Sequence, residues 1–266
     1  VASIDTAGNR SLNSASTVIT IDQTAPDVTA VVIDLDDASD TGIKADDNLT
    51  NDTSPSFTIT NVTNTDSVYL YFDGVQNQKL KASSTTALFT GDVSIDGTYG
   101  STIRSRDIAG NLSDASSALS FRLDTTPFTP TSAPDLIAEF DSGMSVNDDT
   151  TSSKVPQFEI SQLPSISDSL HLYVQSGITN ELLFKTRKGY NKTKDTLSVP
   201  DLSQLGSGAY IVTYTVIDSA GNSSVASAAT TVYIDFTAPN VLGVPILDSA
   251  SDLGESNSDK ITNADS

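Results

Sequence analysis

The chain has 266 residues, a net charge of −20 and no cysteine. With 34 acidic against 14 basic residues, a nucleic-acid or anionic-membrane partner is disfavoured, because both carry negative charge. Without disulfide bonds, rigidity beyond the hydrophobic core has to come from elsewhere, for example from bound metal. No segment has the length and apolar character of a membrane-spanning helix, and the first residues do not have the pattern expected of a signal peptide. The sequence starts at Val1 in the middle of a repeated pattern, so we expect this chain to be a piece of a longer protein.

Short strands are predicted throughout the chain, because apolar residues alternate with a period of two in stretches such as Val68–Phe72 and Tyr210–Val216. No stretch has a helical apolar stripe. In the first complete module the predicted strands lie near residues 27–35, 55–60, 67–72, 98–106 and 116–123, with one or two edge strands between 76 and 95. Turns rich in Gly, Asp, Asn and Pro separate them, which is typical of a two-sheet immunoglobulin-like sandwich. The predicted fold class is all-β, with tandem immunoglobulin-like modules in an extended rod.

Two short motifs recur in step and divide the chain into modules. Asp5-Thr-Ala-Gly-Asn returns at Asp107 and at Asp218, intervals of 102 and 111 residues. A second motif follows at the same two intervals, in Ile21-Asp22-Gln-Thr-Ala-Pro, Leu123-Asp124-Thr-Thr-Pro and Ile234-Asp235-Phe-Thr-Ala-Pro. We therefore predict the end of one module in residues 1–23, complete modules in 24–125 and 126–236, and the start of another in 237–266.

The second complete module is longer between His171 and Tyr210 than the first module is over the equivalent stretch. We expect the surplus in the basic segment Lys185–Lys194, as a loop or hairpin. Tyr99 and Tyr210 each lie just after a turn, where an immunoglobulin-like sandwich often places a tyrosine corner.

A strongly acidic loop lies between the first two predicted strands. Residues 35–55 contain six aspartates and one lysine, and the stretch recurs in residues 247–265. A weaker copy places Asp141, Gly143 and Asp148 in register with Asp40, Gly42 and Asp47. Closely spaced carboxylates repel one another unless a cation lies between them, and hard oxygen ligands on an irregular loop suit Ca²⁺. Ordinary Asp-rich turns on a solvated surface are the alternative interpretation.

These motifs resemble the bacterial immunoglobulin-like repeats of giant type I-secreted, RTX-type adhesins of Gram-negative bacteria. The resemblance is carried by the loop Ser39-Asp-Thr-Gly…Asp47-Asn-Leu-Thr-Asn, the Asp-x-Ala-Gly-Asn turns and the Ile-Asp-x-Thr-Ala-Pro junctions, and it covers nearly the whole chain. It implies sandwich modules joined end to end, with Ca²⁺ at the junctions, that hold a terminal binding domain away from the cell surface for adhesion or biofilm formation. The chain departs from this pattern at Phe140–Asp149, where a less acidic loop implies a calcium site that is weaker or lacks a ligand.

The topology of a seven-strand sandwich indicates which residues would meet at a junction. The loop after the first strand lies at the end where the chain leaves, and the last hairpin turn lies where it enters. The candidate calcium ligands are therefore Asp40, Asp46, Asp47 and Asp124 around Asp218, then Asp141, Asp148, Asp149 and Asp235 at the next junction, with Asp22 and Asp107 at the first. Backbone carbonyls and water would complete each shell of about six to eight oxygens.

Catalysis has no support in the sequence, since no Ser/His/Asp set repeats and no glycine-rich phosphate loop is present. We expect His171, the only histidine, to be a solvent-facing strand residue. The expected partners are neighbouring modules of the same chain, with a host or surface glycan bound through the full-length protein, and the expected state is a monomer. Two other functions stay open: a glycan- or receptor-binding module acting through residues 185–194, and an accessory module of a secreted polysaccharide-degrading enzyme.

Overall fold

The computed structural model describes residues 1–42, 44–64, 66–163, 168–177, 182–190, 194–253, 255–256 and 258–263. Of residue 168 and residues 182–190 it describes the backbone alone. Sixteen strands and no helix are present in this part of the chain, which confirms the all-β prediction. They form two sandwiches, each with a three-stranded and a five-stranded sheet.

The first sandwich contains eight strands. Strands β1, β3 and β6 form the small sheet, and the large sheet has the order β2-β8-β7-β4-β5. The short β2 runs parallel to β8, whereas the other pairs are antiparallel. The strands are β1 (Val32–Leu35), β2 (Leu49–Thr50), β3 (Ser56–Thr60), β4 (Ser67–Phe72), β5 (Val75–Lys81), β6 (Thr86–Thr90), β7 (Gly97–Arg106) and β8 (Leu119–Leu123).

Alternation of side chains along these strands builds the first core. Phe57 and Ile59 of β3 are fully buried, and they pack against the inward residues of the large sheet. The rings of Phe57, Phe72 and Phe121 lie with centroids 5.2–5.5 Å apart at tilted or edge-on angles, a favourable geometry for aromatic pairs. This aromatic group gives the module a dense core without tryptophan.

The second sandwich repeats the plan with a mostly aliphatic core around the buried Phe158 and Tyr214. Its small sheet has the order β9-β11-β14 and its large sheet the order β10-β16-β15-β12-β13. The strands are β9 (Asp135–Leu136), β10 (Thr150–Thr151), β11 (Gln157–Ser161), β12 (Asp168–Ser176), β13 (Leu182–Tyr190), β14 (Lys194–Ser198), β15 (Gly208–Ile217) and β16 (Thr230–Ile234).

Two strands of the first module are shorter than the sequence predicts. The chain makes a turn before β1, in which Val31 N donates to Val28 O over 3.2 Å, so the strand begins at Val32. Before β8, serine side chains replace the ladder: Ser113 Oγ and Ser116 Oγ accept hydrogen bonds from backbone N–H groups of β7. Local side-chain bonding of this kind competes with strand pairing.

The predicted tyrosine corners are confirmed in both modules. Tyr99 Oη donates to Ile95 O over 2.6 Å, and Tyr210 Oη donates to Leu205 O and Gly206 O over 2.9 Å each. The extra length of the second module lies at least partly in the hairpin of β12 and β13, which have nine residues each against six and seven in β4 and β5. Within Lys185–Lys194, residues 191–193 and the side chains of 185–190 lie outside the described part.

Candidate functional site at the junction between modules

The Asp-x-Ala-Gly-Asn turn is a compact, self-bonded unit. In residues 218–222, Asp218 Oδ1 accepts from Asn222 N over 2.8 Å, and Asp218 Oδ2 accepts from Asn222 Nδ2 over 2.9 Å. Gly221 adopts φ of +95°, the left-handed region that only glycine enters at no steric cost. The copies at Asp5 and Asp107 make the same bonds, and the amide of the paired asparagine lowers the pKa of each carboxyl below its usual value.

The asparagine of each complete module also binds the linker through which the chain enters that module. Asn222 Nδ2 donates to Asp124 O over 2.8 Å, and Asn111 Nδ2 donates to Asp22 O over 3.1 Å. The two asparagines therefore fix the linker to the following module. The sequence predicts Asp107 and Asp218 as calcium ligands at these junctions; in the structure their carboxylates accept hydrogen bonds from the asparagines of their own turns. The recurrence of both motifs at equal intervals was the signal that pointed here.

The acidic loop of the first module is organised around a buried carboxylate. Asp40 is 4% exposed, and it accepts from Asn48 N over 2.9 Å and from Leu49 N over 3.1 Å. Asp47 accepts from the same Leu49 N over 3.2 Å, so the two carboxylates share one donor. Burial first, and the charge of Asp47 second among the raising effects, shift the pKa of Asp40 upward. The loop thus holds adjacent negative charge.

This loop packs directly onto the turn of the next module, as the sandwich topology predicts. Thr41 Oγ1 accepts from Asn51 N over 2.8 Å and donates to Ala220 O over 2.6 Å across the junction. Gly42 has φ of +99°, and a Cβ added there would lie 1.9 Å from Ser219 O. The backbones approach so closely that only glycine fits.

The preceding module holds its own end of the linker through different groups. Asp124 N donates to Thr50 O over 2.8 Å. Asp96 accepts from Thr125 N, Thr125 Oγ1 and Thr126 Oγ1 over 2.8, 2.7 and 2.5 Å, and the threonine hydroxyls lower the pKa of its carboxyl. In the second module Ser207 takes this place and accepts from Phe236 N over 2.9 Å. The linker after the first module is therefore bonded on both sides.

His171 does not face solvent, which corrects the expectation from the sequence. It is 8% exposed, and its ring meets Tyr173 edge-on at 6.4 Å between centroids. His171 lines a small cavity at the junction, together with Thr41 and Asn51 of the first module. In the alternation of side chains along β12, His171 lies on the outer face of the sheet. The acidic loop of the preceding module covers this end of the sheet, and a strand pattern does not reveal such an effect.

The acidic loop of the second module repeats the arrangement of the first. Asp141 is 4% exposed and accepts from Asp149 N over 3.3 Å and Thr150 N over 3.2 Å, while Asp148 also accepts from Thr150 N, over 3.1 Å. The pKa of Asp149 is raised by burial and then by the charges of Asp141, Asp135 and Asp148. Asp135 of β9 is an acid that the sequence analysis did not include.

The structure brings some of the predicted calcium ligands together and separates others. Asp40 lies beside Asp47, and Asp141 lies with Asp148 and Asp149. The carboxylate of Asp124 pairs with Arg122 at 3.0 Å, and that of Asp235 accepts from Ser207 Oγ and Thr237 N. Asp46 is exposed on the loop surface. Among the described residues, no three acidic or histidine side chains converge in an arrangement that could hold a metal ion.

The chemistry of the two loops nevertheless fits a hard cation. Each loop holds adjacent carboxylates and a carboxyl group whose pKa is raised by burial and neighbouring charge. In the equivalent loop near the end of the chain, Asp252 is 4% exposed, and its Oδ1 has no hydrogen-bond partner among the residues that the structure describes. Carboxylate oxygens are the ligands that Ca²⁺ prefers. That the eleven aspartates bind metal therefore stays a prediction.

Several solved structures resemble this fold at low sequence identity. The FN1–FN3 domains of chicken CNTN1 share 11% identity, with a TM-score of 0.42, over 88% of this chain and 76% of that chain. Fibronectin(III)-like modules of Clostridium thermocellum CbhA share 11% identity, with a TM-score of 0.40, over 77% and 94%. A tetra-tandem repeat in the extending region of a large adhesion protein shares 18% identity, with a TM-score of 0.35, over 89% and 55%. No curated protein matches the sequence.

A comparison with known protein families matches both sandwiches to the same family. The model of the bacterial Ig-like domain matches residues 27–125 and again residues 128–236. Domains of this family are typically non-catalytic. Within the described residues, no helix is long and apolar enough to cross a membrane. The two matches together cover well over half of the sequence, so the chain belongs to the bacterial Ig-like domain family, with two of its domains in tandem.

Proposed function

We propose that the chain is an extender segment of a large bacterial cell-surface adhesin, stiffened by Ca²⁺ at the junctions between its modules. The observation that carries the proposal is the bonded junction, in which Asn222 of one module holds Asp124 O of the linker and Thr41 of the other holds Ala220 O. Flexibly linked domains do not need matched contacts on both sides of a linker.

Tandem modules with fixed junctions convert chain length into reach. The longest strands have ten residues, and at about 3.3 Å per residue each sandwich extends on the order of 33 Å before its loops are added. Because the chain enters a module at one end and leaves at the other, each further module lengthens the rod. A rod of this kind holds a distal binding domain away from the cell.

Calcium would stabilise the junctions by neutralising charge that the fold brings together. At the first complete junction we assign the ion to Asp40, Asp46 and Asp47, with Asp124 and Asp218 on its other side. At the next we assign it to Asp141, Asp148, Asp149 and Asp235, and at the entry to the first module to Asp22 and Asp107. Adjacent carboxylates repel each other in the absence of a cation, so the free energy of unfolding should rise when Ca²⁺ binds.

The biological setting follows from this role. We place the full-length protein outside the cell, exported by type I secretion, with adhesion or biofilm formation as its activity. The fragment itself would act as a monomer whose partners are the neighbouring modules. The host or surface glycan that is the target of adhesion would be bound through the full-length protein. One of the solved structures above comes from the extending region of a large adhesion protein, the class of protein that we propose.

The test is small-angle X-ray scattering of residues 1–266 with millimolar Ca²⁺ and again with excess chelator, together with thermal unfolding. We expect an extended, narrow distance distribution and a higher melting temperature with Ca²⁺, and a broader distribution with chelator. Mg²⁺ at the same concentration controls for charge screening. If the shape and the melting temperature are the same with Ca²⁺ and with chelator, the acidic loops are solvated turns.

A further inference from the structure

The large sheet of the first module carries positive charge in a strongly acidic chain. Strands β4, β5, β7 and β8 contain five of the chain's 14 basic residues and none of its 34 acidic residues. The small sheet opposite contains no basic residue in its strands. Opposite charges are therefore largely segregated within one module: every aspartate except Asp34 lies outside the strands, and every basic residue except Lys44 lies on one sheet.

Strand alternation places all five cations on the outer face of this sheet. Val68, Leu70 and Phe72 of β4 point into the core, so Tyr69 and Tyr71 point outward. Across β4, Tyr69 pairs with a cationic residue on each neighbouring strand. The five outward cations are Lys79 and Lys81 of β5, Arg104 and Arg106 of β7, and Arg122 of β8. We call this surface the cationic face.

Aromatic rings support these cations. Lys79 Nζ lies 5.1 Å from the centroid of the Tyr69 ring, and the Arg106 guanidinium lies 5.8 Å from the same centroid. The Arg104 guanidinium lies 6.0 Å from the centroid of Tyr71. Cation–π contacts at exposed positions restrain a cation without neutralising it. The charges stay available to a partner.

Within the described residues, four of the five cations also have no carboxylate partner. Arg122 pairs with Asp124 at 3.0 Å. Lys79, Lys81, Arg104 and Arg106 make no ion pair with any carboxylate in the described part of the chain. In a protein with more than twice as many acidic as basic residues, pairing all of these cations would be easy. Their unpaired, aligned arrangement is typical of a surface that binds an anion.

We propose that the cationic face binds an anionic polysaccharide, a site that is separate from the stalk function and does not depend on it. Strands β5 and β7 flank β4, so the two rows of cations lie about 10 Å apart, and neighbouring cations along a strand lie about 7 Å apart. An extended glycan with carboxylates or sulfates spaced along it can engage several cations at once. Nucleic acid carries a charge about every 1.7 Å, and the surrounding aspartates would repel it more strongly.

Single contacts on an exposed face are weak, so binding here depends on several made together. Residues 1–266 should be titrated with heparin as a sulfated probe, with polygalacturonate as a carboxylated probe and with neutral dextran as the control. The titrations are done in excess chelator, so that Ca²⁺ cannot bridge the acidic loops to the glycan. We expect binding to at least one anionic probe, weakening as salt rises, and none to dextran.

The variant Arg104→Gln/Arg106→Gln should weaken this binding about tenfold or more, because it removes one of the two cation rows. Its matched control is Arg10→Gln/Lys154→Gln, which removes the same net charge from exposed positions outside this sheet and leaves the whole cationic face, and it should stay within about twofold. Arg104→Lys/Arg106→Lys keeps the charge and should retain most of the binding. Thermal unfolding checks that each variant is folded.

Three outcomes would overturn the proposal. The first is no binding to either anionic probe, and the second is equal losses in the double variant and its matched control. The third is salt-sensitive self-association in sedimentation equilibrium that the double variant abolishes, which would assign the face to the acidic loops of a second copy. Because the titrations contain no free Ca²⁺, failure here leaves the calcium-stiffened junction untouched, and failure of the junction leaves this face untouched.

Discussion

The acidic loops of the two modules, residues 40–52 and 141–152, share an internal scaffold and differ in the conformation and contacts of one glycine. In both, a buried aspartate accepts hydrogen bonds from the backbone eight and nine residues later. In both, the residue at the eighth position adopts a left-handed conformation, with φ of +57° at Asn48 and +53° at Asp149. This scaffold forms in each loop from its own residues.

The difference lies at the glycine two residues after the buried aspartate. Gly42 is left-handed, and a Cβ there would meet Ser219 O of the next module. Gly143 does not adopt positive φ, and a Cβ there would meet Asp148 Oδ1 of its own loop at 2.6 Å. Its N–H donates to Thr150 O over 3.0 Å, within the loop.

The neighbouring hydroxyls show the same contrast. Thr41 donates to Ala220 O of the next module, whereas Ser142 lies 3.1 Å from Ser152 Oγ of its own loop. Both accept a backbone N–H ten residues later. Residues 218–222 supply the turn that meets the first loop, whereas residues 237–266 contain no such motif to meet the second. The comparison teaches that the buried aspartate builds each loop, and that Gly42 and Thr41 make the contact at the first junction.

Gly42→Ala should have the largest effect on the junction. The added Cβ would lie 1.9 Å from Ser219 O, and the left-handed φ adds about 1–2 kcal/mol of strain. We expect the loop to leave the turn, so that the angle between the modules varies while both cores stay folded. Residual dipolar couplings of the two modules measure this directly.

Gly143→Ala is the matched substitution in the other loop. Its Cβ clashes within the second module, so it should lower the melting temperature of that module and leave the first junction fixed. Equal effects of the two alanines on the angle between the modules would show that Gly42 has no special role there.

Asp40→Ala and Asp141→Ala should each destabilise their own module by about 1–2 kcal/mol. One half-buried N–H group, of Asn48 or Asp149, loses its acceptor, while a second, of Leu49 or Thr150, keeps only the neighbouring aspartate. Urea unfolding followed module by module measures the loss. If the loops are equivalent scaffolds, the two losses should agree within about 1 kcal/mol. A large loss for Asp40 alone would mean that the next module, rather than the loop, holds the scaffold in place.

Asn222→Ala should cost about 1 kcal/mol in the turn and also free the linker, because Nδ2 bonds both Asp218 and Asp124 O. Asn9→Ala is its control, since Asn9 makes the same bond to Asp5. Hydrogen exchange at residues 124–126 should rise for Asn222→Ala alone. Unchanged hydrogen exchange at residues 124–126 would show that the Asn222 side chain does not hold the linker.

Much of this arrangement could be predicted from the sequence. Alternating residues gave the strands of the large sheets, and the two motifs in step located the linkers and turns. The sandwich topology then predicted that the acidic loop meets the next turn, and Thr41 and Ala220 confirm the contact. These features depend on local pattern and on connectivity, which a sequence displays directly.

The sequence could not show which atom of each motif makes the contact. The carboxylates of Asp107 and Asp218 are used within their own turns, so the asparagine amides became the groups that cross the junction. The burial of His171 likewise depends on a neighbouring module. Nor does a strand pattern show that Lys79 and Arg104 converge on one face, because they are distant in sequence and meet only through the order β5-β4-β7. Such features arise from packing between elements.

Lowering the pH should have the smallest effect on stability, and this experiment tests both loops at once. Asp40 in the first loop and Asp149 in the second each have a pKa raised above 3.8. The folded state therefore binds these protons more tightly than the unfolded state, so stability should increase as the pH falls from neutral toward the raised pKa values. Asp96 and Asp107, whose pKa values are lowered, would lose their contribution only below 3.8. In chelator, we expect the melting temperature to rise as the pH falls from 7 toward the raised pKa values. Asp40→Asn and Asp149→Asn should each remove the part of the rise that belongs to its own module. A melting temperature that falls over this interval would mean that neither loop carries unrelieved negative charge, and the case for a cation between the modules would lose its electrostatic basis.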